Sequence, residues 1–78
     1  MEPKAGVYRH WKGRHYRLLC LATHTETGER LVVYQALYGE RACWVRPLAM
    51  WQESVTRDGV TMPRFAYVCE TETQLGDS

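Results

Sequence analysis

Between Thr23 and Gly39 the chain reads as turn, strand, turn. Thr25-Glu26-Thr27-Gly28-Glu29 is a polar loop with glycine near its end, the signal of a longer, bulge-containing hairpin. Arg30 to Tyr38 follows, rich in β-branched and aromatic residues that suit a pleated, half-buried surface. Gly39-Glu40-Arg41 is the next turn. Side chains alternate along a strand, so Leu31, Val33, Gln35 and Leu37 point one way and Val32, Tyr34, Ala36 and Tyr38 the other. At most one of these faces can be the buried one.

The flanking sequence repeats this punctuation. Ala5 to His10 is a first short strand, and Trp11-Lys12-Gly13-Arg14 is a turn. His15 to Thr23 is a second strand, with Tyr16, Leu18, Cys20 and Ala22 on one face and Arg17, Leu19, Leu21 and Thr23 on the other. Ala42 to Arg46 is a fourth strand, stopped by Pro47, which cannot donate to a sheet ladder. Leu48 to Glu53 has room for one helical turn and is too short to be stable alone. Asp58-Gly59 is a favoured pair for a tight type I′ hairpin, and Pro63 opens the last strand, Arg64 to Cys69. These elements predict an all-β fold, a small antiparallel SH3-like barrel over residues 5–69 with one short helical turn before the last strand. An oligonucleotide-binding-type barrel is the alternative, weakened by the lack of a substantial helix. Residues 70–78 form a polar tail, expected to fray.

Seventy-eight residues make one domain that buries only about 60% of the surface of its unfolded chain. Five tyrosines, three tryptophans and one phenylalanine supply much of such a core, at roughly 1.5–3 kcal/mol for each large apolar side chain fully buried. Cys20, Cys43 and Cys69 are odd in number and widely spaced, unlike a disulfide framework. Each lies in an apolar strand-like run and is expected to be a small buried hydrophobe. The chain starts without an apolar leader, and no run approaches the roughly 20 apolar residues of a membrane span. A cytoplasmic protein without a membrane partner is the expectation. Net charge is +1, but residues 1–17 hold Lys4, Arg9, Lys12, Arg14 and Arg17 against Glu2 alone, whereas the tail holds Glu70, Glu72 and Asp77 and no cation.

Tyr8-Arg9-His10-Trp11-Lys12-Gly13, Tyr16-Arg17, His24-x-Glu26-Thr27-Gly28-Glu29 and Val32-Val33-Tyr34-Gln35-Ala36-Leu37-Tyr38-Gly39 resemble a bacterial family catalogued as domain of unknown function 1653. The similarity continues through Trp44-Val45-Arg46-Pro47-Leu48 to Pro63-Arg64-Phe65, covering roughly residues 7–68. The resemblance implies a small, self-contained bacterial domain and brings no catalytic assignment with it.

Three constellations carry chemistry. Residues 8–17 interleave cations with rings, as phosphate neutralisation and base stacking require, although the low net charge favours ordinary solvated cations. Tyr34, Gln35, Tyr38, Trp44 and Arg46 put polar function on central strands. Gln35 needs a partner where an unpaired amide would be costly, whether backbone, a neighbour such as Arg46, or a ligand, with structural satisfaction the commoner outcome; Arg46 can clamp an anion bidentately, stack on Trp44 or Trp51, or pair with Glu53. His10, His15 and His24 lack the Cys or carboxylate partners of a zinc spacing. His24 is expected to bond the Glu26–Gly28 turn. No Gly-rich phosphate loop or nucleophile elbow is present. The sequence therefore points to a non-enzymatic binding module without metal or cofactor. Its surface is drawn from Tyr8, Arg9, Lys12, Arg17, Tyr34, Gln35, Tyr38, Trp44 and Arg46. A protein or peptide is the first partner class and nucleic acid or a nucleotide the second, with a small enzyme third. A free sheet edge leaves monomer and homodimer both open.

Overall fold

The computed structural model describes residues 2–75. Seven strands run β1 Gly6–His10, β2 His15–Thr23, β3 Arg30–Ala36, β4 Cys43–Pro47, β5 Ser54–Arg57, β6 Val60–Pro63 and β7 Phe65–Cys69, with one helical turn, α1 Leu48–Trp51, after β4. A 3₁₀ turn, Glu72–Leu75, closes the described chain. Five strands form one antiparallel sheet in the order β4-β3-β2-β1-β7, and β5 and β6 pair separately as a hairpin. The fold is all-β with its single helical turn ahead of the last strand, as the sequence predicts. The last strand returns beside the first, as a barrel requires, but among the described residues β4 and β7 remain the two margins and the sheet is open. No helix among the described residues is long and apolar enough to cross a membrane.

The inner face carries the core. Tyr8, Leu18, Val32 and Tyr34 from the sheet pack against Trp51 of α1 and Phe65 at the start of β7. Trp51 and Phe65 stack flat, with ring centroids 3.7 Å apart and planes 3° apart. Tyr8 and Tyr34 meet Trp51 edge-on at 5.3 and 5.0 Å, the geometry ring quadrupoles favour. A four-residue helix has no stability of its own, so α1 exists because Trp51, 2% exposed, is anchored in this cluster.

Two bulges reset the faces that simple alternation predicts. On β2, Leu18 pairs with Tyr34 and Cys20 with Val33, which leaves Leu19 as the extra residue. Beyond it the alternation inverts. Leu21, opposite Val32, joins the inner face, while Cys20 and Ala22 turn outward opposite Val33 and Leu31. Cys20 is therefore exposed, and so is Cys43 on β4; Cys69 is half-buried and all three thiols are free. The expectation of three buried cysteines fails for Cys20 because one inserted residue shifts every side chain after it to the other face, and for Cys43 because it lies opposite Gln35 on the outer face of a margin strand. The second bulge lies in β7. Val7 pairs with Cys69 and Tyr8 with Tyr67, so Val68 is extra.

Local chemistry explains the turns. Asp58 and Gly59 have φ of 54° and 79°, both positive as a type I′ hairpin requires, and Pro63 ends β6 instead of opening the last strand. His24 Nδ1 accepts the backbone N–H groups of Glu26 and Thr27 at 3.0 and 3.3 Å, which sets the β2–β3 loop as expected. Gly6 has φ of 144°, and a Cβ there would lie 2.9 Å from both the Cys69 carbonyl oxygen and the Tyr67 ring. Only glycine lets β1 and β7 approach so closely. Within the tail, Glu72 takes both terminal guanidinium nitrogens of Arg41, at 2.7 and 2.8 Å, so the tail up to Leu75 folds back as a turn. The rest of the frayed segment expected there, residues 76–78, lies outside the described residues.

Candidate functional site

The nine residues singled out from sequence divide between two faces and a turn. Tyr8 and Tyr34 are core residues, 5% and 6% exposed. The Tyr8 hydroxyl donates to the Lys4 carbonyl at 2.7 Å. The Tyr34 hydroxyl accepts from Arg46 Nε at 3.3 Å, and the Arg46 guanidinium lies 5.5 Å from the Phe65 ring centroid. Trp44 sits opposite Tyr34 on the same inner side but is 55% exposed, because β4 has no strand beyond it. Tyr38, past the end of β3, bonds the Tyr16 hydroxyl at 2.7 Å under the Arg14 guanidinium, 4.2 Å above its ring.

Gln35 and Arg46 do not satisfy each other. Gln35 pairs with Arg17 and Cys43 on the outer face, and its Nε2 donates to the Arg41 carbonyl at 3.0 Å. Arg9, two residues from Val7 and opposite His15, belongs to the same outer face as Arg17. Lys12 lies in the β1–β2 turn, its Nζ 5.4 Å from the Trp11 ring centroid.

That turn leads to a concavity. The β5–β6 hairpin is tied to the body by the Arg64 N–H to the Glu53 carbonyl and by the Trp11 N–H to the Arg64 carbonyl, both 2.9 Å. The geometry leaves a cleft of about 530 Å³ between hairpin and turn, lined by Trp11, Lys12, Arg57, Asp58, Val60 and Met62. A smaller, more enclosed hollow of about 120 Å³ continues past Trp11 and Met62 to Arg9 and Ala66. The Arg57 guanidinium also lies 5.4 Å from the Trp11 ring. The cleft thus has an apolar floor, an aromatic wall and a positive rim relieved only by Asp58. Of the six lining residues only Lys12 is among the nine chosen from sequence; Trp11 enters there only as a ring within the run 8–17, and Arg57, Val60 and Met62 do not enter. The Asp58-Gly59 signal reveals the hairpin, yet nothing local says that it folds over Trp11.

Two inner-face groups are conditioned by their surroundings. Burial pushes the Tyr16 phenol up to about 12, helped by its hydrogen bond to Tyr38. Burial lowers His10 below the usual histidine range, and the charges of Arg46, Arg64 and Lys12 add to it, so His10 is neutral at neutral pH. Its Nδ1 accepts the Lys12 N–H at 3.2 Å, holding the turn that presents Trp11. The Trp51 indole N–H is buried without a partner among the described residues. No three His, Cys, Asp or Glu side chains among the described residues are gathered to hold a metal ion.

The family described as "Protein of unknown function (DUF1653)" matches residues 6–67. The fold is similar to the crystal structure of a protein of that family from Bordetella bronchiseptica, with 44% identity and a TM-score of 0.81 over 87% of this chain and 90% of that one. No curated protein matches the chain.

Proposed function

The chain belongs to the DUF1653 family, and we propose that it is a non-enzymatic binding module that seats an extended, acidic and apolar peptide segment of another protein in the Trp11 cleft. The observation that carries this reading is the pairing of an apolar floor, Val60 and Met62, with the cations Lys12 and Arg57 around one half-exposed tryptophan. An apolar side chain fills such a floor, and a neighbouring carboxylate replaces the Trp11 ring as the partner of a cation. Aromatic and arginine side chains at a concave site are the usual anchors of protein recognition. Arg9, at the hollow's far end, extends the positive rim along an extended ligand. The reading takes the sheet as an opened SH3-like barrel whose groove is supplied by the hairpin. It also places the module in a bacterial cytoplasm, where the three free thiols would stay reduced.

Single-stranded nucleic acid is the second reading, supported by the same two cations over Trp11, since a base stacks on an indole while phosphates take the cations. Titration followed by backbone amide NMR separates the two. A pool of hexapeptides mixing Glu with Leu is expected to shift Trp11, Arg57, Val60 and Met62, and Trp11→Ala to abolish the shifts. Oligo(dT) moving these signals in a strongly salt-dependent way, with the peptides inert, transfers the site to nucleic acid. Silence of the cleft to both probes overturns the proposal.

A further inference from the structure

We propose that the β4 margin is a self-complementary docking edge where two copies of this chain pair, β4 against β4, into one continuous antiparallel sheet centred on Val45. The Ala36 N–H donates to the Ala42 carbonyl at 2.9 Å, at the head of an unbroken β3–β4 register. Backbone groups alternate sides along an antiparallel strand. Ala42, Trp44 and Arg46 therefore bond β3, while the backbone groups of Cys43, Val45 and Pro47 point to the open margin. Among the described residues no strand pairs with that margin, yet Trp44 and Val45 are 55% and 61% exposed on it. An unpaired apolar edge is a template for another strand.

The sequence of this edge selects a second copy of itself as occupant. When Val45 faces Val45 of the second copy, the two residues exchange both of their outward hydrogen bonds. Cys43 then faces Pro47 of the other copy. Proline has no N–H to offer and its carbonyl accepts from the Cys43 N–H, so its missing donor falls at the end of the ladder. Trp44 faces Arg46 of the second copy in a closely spaced non-hydrogen-bonded pair, within reach of a cation–π contact. No carboxylate pairs with Arg46 among the described residues; its present contacts are the Tyr34 hydroxyl at 3.3 Å and the Phe65 ring, so the new contact adds to them or replaces the longer one. On the outer face Cys20, Val33 and Val45 stand in one row, and pairing joins two such rows into a single apolar stripe. A ladder of this length buries less than the roughly 1,600 Å² of a standard interface, so the dimer is a weak one that fills with concentration.

Sedimentation equilibrium of the full chain from about 10 µM to about 1 mM, a range set by the affinity scale of weak interfaces, tests the proposal. The expected result is a monomer–dimer equilibrium, with Val45 and Cys43 amides gaining protection from hydrogen exchange as concentration rises. Val45→Lys places two cations face to face, and Val45→Pro removes the outward N–H, which β3 does not use, on an edge strand where proline is tolerated. Each is expected to weaken association at least tenfold while leaving β3–β4 amide protection in place. A wild-type chain still monomeric at the top of the range, or a dimer unchanged by both substitutions, overturns the proposal. Trp11→Ala is the control: it disables the peptide cleft and is expected to leave association intact, so the two readings fail separately.

Discussion

The sheet has two margins of similar length, and they are finished differently. β7 carries the extra residue Val68 against β1, packs Phe65 flat on Trp51, and is followed by a 3₁₀ turn whose Glu72 is pinned to Arg41. A bulge twists an edge and spoils it as a template. β4 has no bulge, keeps unbroken register with β3, and leaves Trp44 and Val45 in solvent. The contrast teaches that exposure alone does not mark a working edge. Tyr67 and Val68 are 37% and 43% exposed on β7, but their strand is bent and anchored, and nothing there invites a further strand.

If β7 is the anchored margin, deleting its anchor should cost most. Phe65→Ala empties the space against Trp51, Tyr16 and His10, and a loss of about 3–5 kcal/mol is expected for an aromatic removed from a core, read by urea unfolding. Gly6→Val tests the close approach of β1 and β7. The side chain must enter a space where even Cβ lies 2.9 Å from backbone, at a φ that valine resists, so about 1–3 kcal/mol should go. Its hydrogen-exchange signature should open β7 and spare β4.

On the β4 side the aromatic cluster ends in hydroxyls instead of a stacked pair. Tyr38→Phe is expected to cost about 1 kcal/mol for a lost hydrogen bond and to lower the Tyr16 pKa only part of the way from about 12, because burial is its first cause. Tyr16 titrates higher folded than unfolded, so its contribution is whole below the unfolded value of about 10 and fades as pH rises towards the folded one. A ¹³C NMR titration of the tyrosine ring carbons resolves this. Glu72→Gln removes an exposed pair and should change stability less. The Arg41 hydrogen bond holds Glu72 below the usual carboxylate range, so that small contribution is present at neutral pH and vanishes as pH falls through the folded value. Comparing the two proteins by urea unfolding at neutral and acid pH checks the sign. Smallest of all, Val45→Lys should leave the unfolding of the dilute monomer within about 0.5 kcal/mol, although it sits at the centre of the proposed dimer edge. A larger loss would mean that β4, like β7, is a structural margin.

The strands and turns were legible because turn chemistry is local. His24, Gly28 and the Asp58-Gly59 pair announce their hairpins from their own side chains, and β2 lies where its apolar run does. Leu19 was not legible as a bulge. Its neighbours are apolar on both sides, so period-two alternation gives no sign that Leu21 faces inward and Cys20 outward. The same blindness divided the nine chosen residues. Arg46 and Gln35 lie on opposite faces, and Tyr8 and Tyr34, chosen for contact, are core. The cleft depends on Arg57, Val60 and Met62 meeting Trp11, a contact between distant segments that no local pattern encodes.

The adjacency of β1 and β7 has a consequence for synthesis. β1 to β4 form a meander of neighbouring hairpins that can assemble as the chain leaves the ribosome. β7 joins β1 across about sixty residues, with Val7 opposite Cys69 and His10 opposite Phe65. Until Phe65 has emerged, Trp51 lacks its stacking partner and the edge of β1 stands unpaired. The nascent sheet therefore exposes the unbulged edges of both β1 and β4, whereas in the finished one β1 is covered by the bulged β7. Its most aggregation-exposed interval is the time taken to make the short stretch from Gln52 to Cys69.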